Sequence, residues 1–232
     1  MTLDRRTVVR GTAWTVPAVL VSTRAPAFAA SPCGAVPFPT GWSLTTTGTF
    51  QNGIQTYSST YAAADTINRF VSEADNSVNS GSSENTVANT ATVRLETTMT
   101  LVPGRAYTFS FSIASRFSGD NSSNSQNQYL QIQTVVGGTP NDRLRLVKGS
   151  NTNTYLGGLA TWTQLTPTAV PPGPTGPQVQ TYSFPYTPPA GTSSVILRLL
   201  WTLPARGRVG GGIYSGQADI AVSAPTITGQ GC

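Results

Sequence analysis

Histidine is absent from all 232 residues. Its absence removes Ser-His-Asp and Cys-His catalysis, the usual zinc sites and the commonest general base at neutral pH. Acid–base chemistry would then fall to carboxylates. Past the first thirty residues these are Asp65, Glu73, Asp75, Glu84, Glu96, Asp120, Asp142 and Asp219. Glycoside hydrolysis needs only two of them, facing each other across a cleft of roughly 5–9.5 Å. The spacing along the chain pairs none, and Glu96 reads as a solvated residue on the polar face of a strand. A hard cation is the better-motivated ligand, because Asp120, Asn121 and Asn124 fall in one short run of side-chain oxygens. Calcium takes such ligands, although no helix flanks this run and no bidentate Glu follows it. Sugar recognition needs flat aromatic faces beside hydrogen-bonding groups, and Tyr129, Tyr155 and Trp162 qualify by type. Arg206 and Arg208, on a Gly-rich stretch, could meet an anionic polymer. No Gly-rich phosphate loop lies between a strand and a helix, and no other cofactor is implied.

The elements that must position these residues are strands. In Val93–Leu101, Val93, Leu95, Met99 and Leu101 share one face and Thr or charge the other. Tyr107–Ile113 alternates strictly, with its aromatics inward. Pro103-Gly104 between them has the residue types of a turn, so the two segments read as a hairpin. Ser194–Trp201 is nearly continuous in apolar residues, and Arg198 sets its register, sending Val195, Leu197, Leu199 and Trp201 to the core. Further strands are expected over 42–50, 66–71, 129–136, 143–147, 161–165, 179–186 and 218–222, with a short last one after Pro225. Only 61–68 could form a helical turn. Long polar loops are expected over 75–89, 119–128 and 166–177. About ten short strands with turn chemistry between them predict an all-β fold, a single antiparallel β-sandwich over 30–232.

The first 29 residues read differently. Arg5 and Arg6, with Arg10 behind them, precede an apolar run over 11–22, and Ala27, Ala29 and Ala30 follow in a small-residue cleavage pattern. This order resembles a bacterial twin-arginine (Tat) export signal of the actinobacterial kind. Arg24 ahead of the cleavage site fits that likeness; Asp4, Val8 and Val9 depart from the usual flanking residues. The resemblance implies the Tat machinery and a signal peptidase as partners, with a secreted or envelope destination. The apolar run is too short for a membrane helix of roughly 20 residues, and no transmembrane segment is expected in the mature part. Removing the signal also changes the charge. The whole chain carries 14 Lys+Arg against 9 Asp+Glu, a net +5. Without Arg5, Arg6, Arg10, Arg24 and Asp4 the remainder is near +2, which gives no support to nucleic-acid binding.

Two cysteines, Cys33 and Cys232, nearly bracket the mature chain. In an exported protein they read as one disulfide joining the two ends of the domain; an intermolecular link through Cys232 is the alternative. The order of elements resembles jelly-roll modules of the galactose-binding and carbohydrate-binding type. The likeness rests on the segment with Pro103-Gly104 and Tyr107–Ile113, on Val195–Trp201, and on Ala218-Asp219-Ile220-Ala221-Val222. It implies a glycan or envelope component as partner and makes Asp219 a second calcium candidate. The function expected is binding without catalysis, with a self-assembling surface protein or a carbohydrate-active enzyme as alternatives. An exposed aromatic row on a sheet would favour binding, and a long unpaired edge strand self-assembly.

Overall fold

The computed structural model describes residues 33–36, 40–48, 50, 67–71, 90–116, 125–148, 161–165, 178–204, 208–209, 212–213, 216–217 and 219–229. These build a two-sheet, jelly-roll-like β-sandwich. The first sheet holds β1 (Gly34–Ala35), β3 (Arg69–Val71), β5 (Tyr107–Arg116), β10 (Gln178–Tyr186), β15 (Asp219–Ser223) and β16 (Thr226–Gly229). β5 is its spine. Along its whole length it pairs antiparallel with β10. Its other edge is shared end to end by β16, opposite Tyr107–Ser110, and β15, opposite Ile113–Arg116. β3 then pairs with β15 and β1 with β16. The second sheet runs in the order β2 (Ser43–Thr47), β4 (Ala91–Thr100), β11 (Ser194–Leu203), β7 (Gln128–Val136), β8 (Thr139–Lys148) and β9 (Thr163–Gln164). Four two-residue strands, β6 (Ser125–Gln126), β12 (Arg208–Val209), β13 (Gly212–Ile213) and β14 (Gly216–Gln217), form two small pairs, β6 with β14 and β12 with β13.

The inward faces follow the alternation of the sequence. Val93, Leu95, Met99 and Leu101 are buried from one side, and Tyr107, Phe109, Phe111 and Ile113 from the other. Val195, Leu197, Leu199 and Trp201 are completely buried, as the position of Arg198 predicts. Phe184 stacks between Phe109 and Phe111, with ring centroids 5.2 and 5.9 Å apart. Two side chains of the second sheet satisfy the backbone of Ile220 in the first. Trp201 Nε1 donates to its carbonyl at 2.8 Å, and its N–H donates to Gln128 Oε1 at 2.7 Å. Buried backbone groups left without such partners are costly, so these two bonds tie β15 to the opposite layer.

The expected hairpin is corrected. β4 and β5 do not pair; they lie in opposite sheets. Pro103-Gly104 does form a turn, with Gly104 at φ +73° and Arg105 N–H donating to Val102 O at 3.3 Å. That turn carries the chain across the core as an arch. Alternation says which face of a strand is apolar, and an arch and a hairpin present the same face to the same core. The true hairpin of this region joins β7 to β8 through Gly137-Gly138, at φ +56° and +82°. Two consecutive positive φ values suit the right-handed twist of paired strands, and the glycine pair was the available signal for it.

Several strand limits also shift. Those expected at 42–50, 66–71 and 161–165 shrink to β2, β3 and β9, and the one at 143–147 grows to Thr139–Lys148. Of the helical turn at 61–68, only Ile67 and Asn68 are described, and neither is helical. Most of the three polar loops, and residues 1–32, lie outside the described residues.

Candidate functional site

The outward face of the second sheet carries a charge lattice that the core does not require. On β4 the alternate residues to the core stripe are Arg94 and Glu96, on β11 Arg198 and Leu200, and on β7 Gln131 and Gln133. Strand register aligns them in two rows. One row reads Arg94, Leu200, Gln131, Arg145. The next reads Glu96, Arg198, Gln133, Asp142. β2 extends the rows with Thr45 and Ser43.

A β-bulge makes the second row possible. Ile132 pairs with Leu144, but Gln133 pairs with Asp142, so Arg143 is the extra residue. In a regular strand residues 142 and 145 would point to opposite faces, because the side-chain period is two. The bulge returns Asp142 to the face of Arg145. Arg143 turns away, its Nε donating to Thr134 Oγ1 at 2.8 Å and its guanidinium lying 4.9 Å from the centre of the Tyr186 ring.

The contacts within the rows are short. Arg198 Nε donates to Glu96 Oε1 at 2.6 Å, and Arg198 NH1 to Gln133 Oε1 at 3.3 Å. Gln133 Nε2 donates to Asp142 Oδ1 at 2.7 Å, and Gln131 Nε2 reaches both oxygens of Asp142 at 3.0 Å. Arg145 Nε lies 3.2 Å from Asp142 Oδ2, and Arg94 Nε lies 3.9 Å from Glu96 Oε1. Glu96 is therefore an ion-paired member of a network, correcting the solvated reading. Its carboxylate and that of Asp142 stand three strand spacings apart, about 14 Å between backbones, with Arg198 and Gln133 between them. That is not the facing pair across an open cleft that glycoside hydrolysis uses.

The sequence-nominated residues divide. Tyr129 and Trp162 do come together, but as a buried cluster with Val147 on the outer face of the second sheet, not as open platforms. Their rings meet edge to face at 4.9 Å, and the Arg145 guanidinium sits 4.7 Å from the centre of the Trp162 ring. Trp162 thus props an arginine where an exposed aromatic was expected. Asp219 is 2% exposed at the start of β15. Tyr155, Arg206, Asp120, Asn121, Asn124 and Cys232 lie outside the described residues, and of Arg208 only the backbone is described. No group of three or more His, Cys, Asp or Glu occurs among the described residues. Lys148, the single lysine, is buried, and desolvation lowers its pKa to about 8. Sequence reasoning missed the polar rows. Glu96 and Arg198 were recognised as off the core stripes, yet nothing local showed that they pair.

A second concavity lies on the first sheet. It is a groove of about 430 Å³ edged by the hydroxyl residues Ser110, Ser112, Thr181, Ser223 and Thr226. Its ordered polar contacts serve the sheet itself, since the Ser112 N–H donates to Ser223 Oγ at 2.9 Å and Arg69 NH2 to Ser112 Oγ at 2.8 Å. The charged face of the second sheet is the stronger candidate.

No family model matches the chain, and no curated protein matches it in sequence. Solved structures resemble it at a distance. The enzymatically active domain of tailspike protein 4 from bacteriophage CBA120 is 15% identical with a TM-score of 0.40; the match covers 86% of this chain and 22% of the tailspike chain. A family 4 carbohydrate-binding module is 13% identical with a TM-score of 0.34, covering 88% and 91% of the two chains. The family 11 module from Clostridium thermocellum, solved with a β-1,3-1,4-mixed-linked tetrasaccharide, is 11% identical with a TM-score of 0.31, covering 82% and 89%. Likenesses this distant assign neither a ligand nor an activity to this chain.

Proposed function

We propose that this chain is a secreted or envelope-associated binding protein that takes a glycan on the outward face of its second sheet, without catalysis. The observation that carries the reading is the double row from Arg94–Glu96 to Asp142–Arg145. Hydroxyl-rich ligands need many oriented donors and acceptors on a rigid support, and cross-strand rows on a sheet supply them at a spacing of about 4.8 Å. Half-buried Leu200 adds an apolar spot within the row. Glycan arrays probed with the purified protein, with and without calcium, test the reading. Gln131→Ala should weaken the ligand found by roughly threefold to tenfold, the worth of one hydrogen bond, without moving the melting temperature. Failure of every glycan under both conditions sinks the proposal.

The destination belongs to the same proposal. Residues 1–29 act as a Tat signal cleaved near Ala29, and the Cys33–Cys232 bridge forms after transport. What supports this is the Arg5-Arg6 pair ahead of a short apolar run. Among the described residues no helix is long and apolar enough to cross a membrane. Arg5→Lys with Arg6→Lys should abolish export, read as loss of the protein from the culture supernatant and envelope fractions of a Tat-competent host. Undiminished secretion of the double variant contradicts it.

A further inference from the structure

The two arginines at the ends of the first row hold most of their donors unspent. Arg94 has Glu96 as its ion-pair partner at 3.9 Å, beyond hydrogen-bonding distance, and its buried Nε finds no acceptor among the described residues. Arg145 lies beside Asp142 but without hydrogen-bond alignment at Nε, and rests on Trp162. Both side chains keep about a third of their surface open, 37% and 36%. The two carboxylates of the face are already engaged. Glu96 Oε1 takes Arg198, and both oxygens of Asp142 take amides of Gln131 and Gln133. Three guanidinium groups therefore stand against two carboxylates, and the surplus cation is shared by the two forks with free donors. A guanidinium offers a planar array that matches a carboxylate in two parallel bonds.

We infer that the face selects an acidic polysaccharide, its ring carboxylates taken by Arg94 and Arg145 across Leu200 and Gln131. This deepens, and rests on, the glycan-binding reading above. The end positions are about 14 Å apart by strand spacing, the length of a short oligosaccharide. Leu200 between them offers an apolar floor to a sugar ring. Glu96 and Asp142 are each held by arginines and amides of the face and are less open than Arg94 and Arg145, at 22% and 30% against 37% and 36%.

The test uses the full chain, purified and folded, against polygalacturonate, the same polymer with its carboxyls reduced, and dextran sulfate. Polygalacturonate should bind in a salt-sensitive manner and at least about tenfold more tightly than the reduced polymer, the worth of a charge-assisted hydrogen bond. Arg94→Gln should remove that preference with an unchanged melting temperature, and Arg94→Lys should restore it only in part, because it keeps the charge and loses the fork. Equal affinity for the reduced polymer, or an unaltered preference in Arg94→Gln, overturns the inference while leaving glycan binding in place. Dextran sulfate binding as tightly as polygalacturonate also overturns it, since any polyanion would then serve. Binding to none of the polymers, together with a blank glycan array, removes the glycan reading and this inference with it.

Discussion

Trp201→Ala should destabilise the protein by about 3–5 kcal/mol, the range for truncating a buried tryptophan, and lower the melting temperature by roughly 6–20 °C for a domain of this size. Trp201 is completely buried at the centre of the second sheet's inner face, opposite Val93 on one neighbour and Leu130 on the other. Its removal does two things. It opens a cavity in the shared core, and it strips the Ile220 carbonyl of the indole donor that reaches it from the other layer. Trp201→Phe separates the two in part, since it keeps a buried aromatic ring, leaves a smaller void than Ala and loses the N–H. Its cost should fall near the 1–3 kcal/mol of an unsatisfied buried acceptor. Thermal melts followed by circular dichroism read both variants. If Trp201→Ala melts within 2 °C of the parent, the packing of β15 on the second sheet is misassigned.

The second large effect concerns the ends of the chain. Cys33 is disulfide-bonded, and it directly precedes β1, whose Gly34 and Ala35 pair with Ile227 and Thr226 of β16. The first and last described strands are thus neighbours, which places residue 33 near the strand that leads to the C-terminus. With Cys232 as the proposed partner, the closed loop spans almost the whole mature chain, and the chain-entropy model gives about 5 kcal/mol for a loop of that length. Cys33→Ser, or reduction of the parent, should shift the denaturant midpoint downward by a corresponding amount. Cys232→Ser should reproduce the shift, and the double variant should add nothing further. Non-reducing electrophoresis separates this from the intermolecular alternative. A dimer that collapses to monomer on reduction would assign the bond to two chains.

Both effects arise where distant segments meet, and the same condition governs how far the sequence could be read. Within single strands the reading was accurate. Arg198 marked the outward face of β11, and the residues one step to either side are buried with their alternates. The aromatics of β5 point inward as their spacing required. Between strands it failed. The hairpin expected around Pro103-Gly104 is an arch between sheets, and a hairpin runs through Gly137-Gly138, outside the expected one. Glu96 reads locally as a solvated charge because its partner, Arg198, lies 102 residues away. Tyr129 and Trp162 resemble ligand platforms in sequence because neither falls on a clean apolar stripe. They are buried because Trp162, next to the short parallel strand β9, folds over the outer face of the sheet.

The amino-acid sequence by itself determined the class of the fold and the inward set of each long strand. Those follow from a side-chain period of two, a property of one strand that needs no neighbour. It also excluded histidine-dependent chemistry outright. The tertiary structure alone decided which strands pair, and therefore the site. Arg94, Leu200, Gln131 and Arg145 come from four strands in the sheet order β4-β11-β7-β8, where only β7 and β8 are also neighbours in the chain. Their alignment depends on register, and Asp142 joins them only through a bulge at Arg143. Apart from the β7–β8 hairpin, pairing of this kind is a non-local choice, made when two apolar faces close over one core, and no local pattern encodes it.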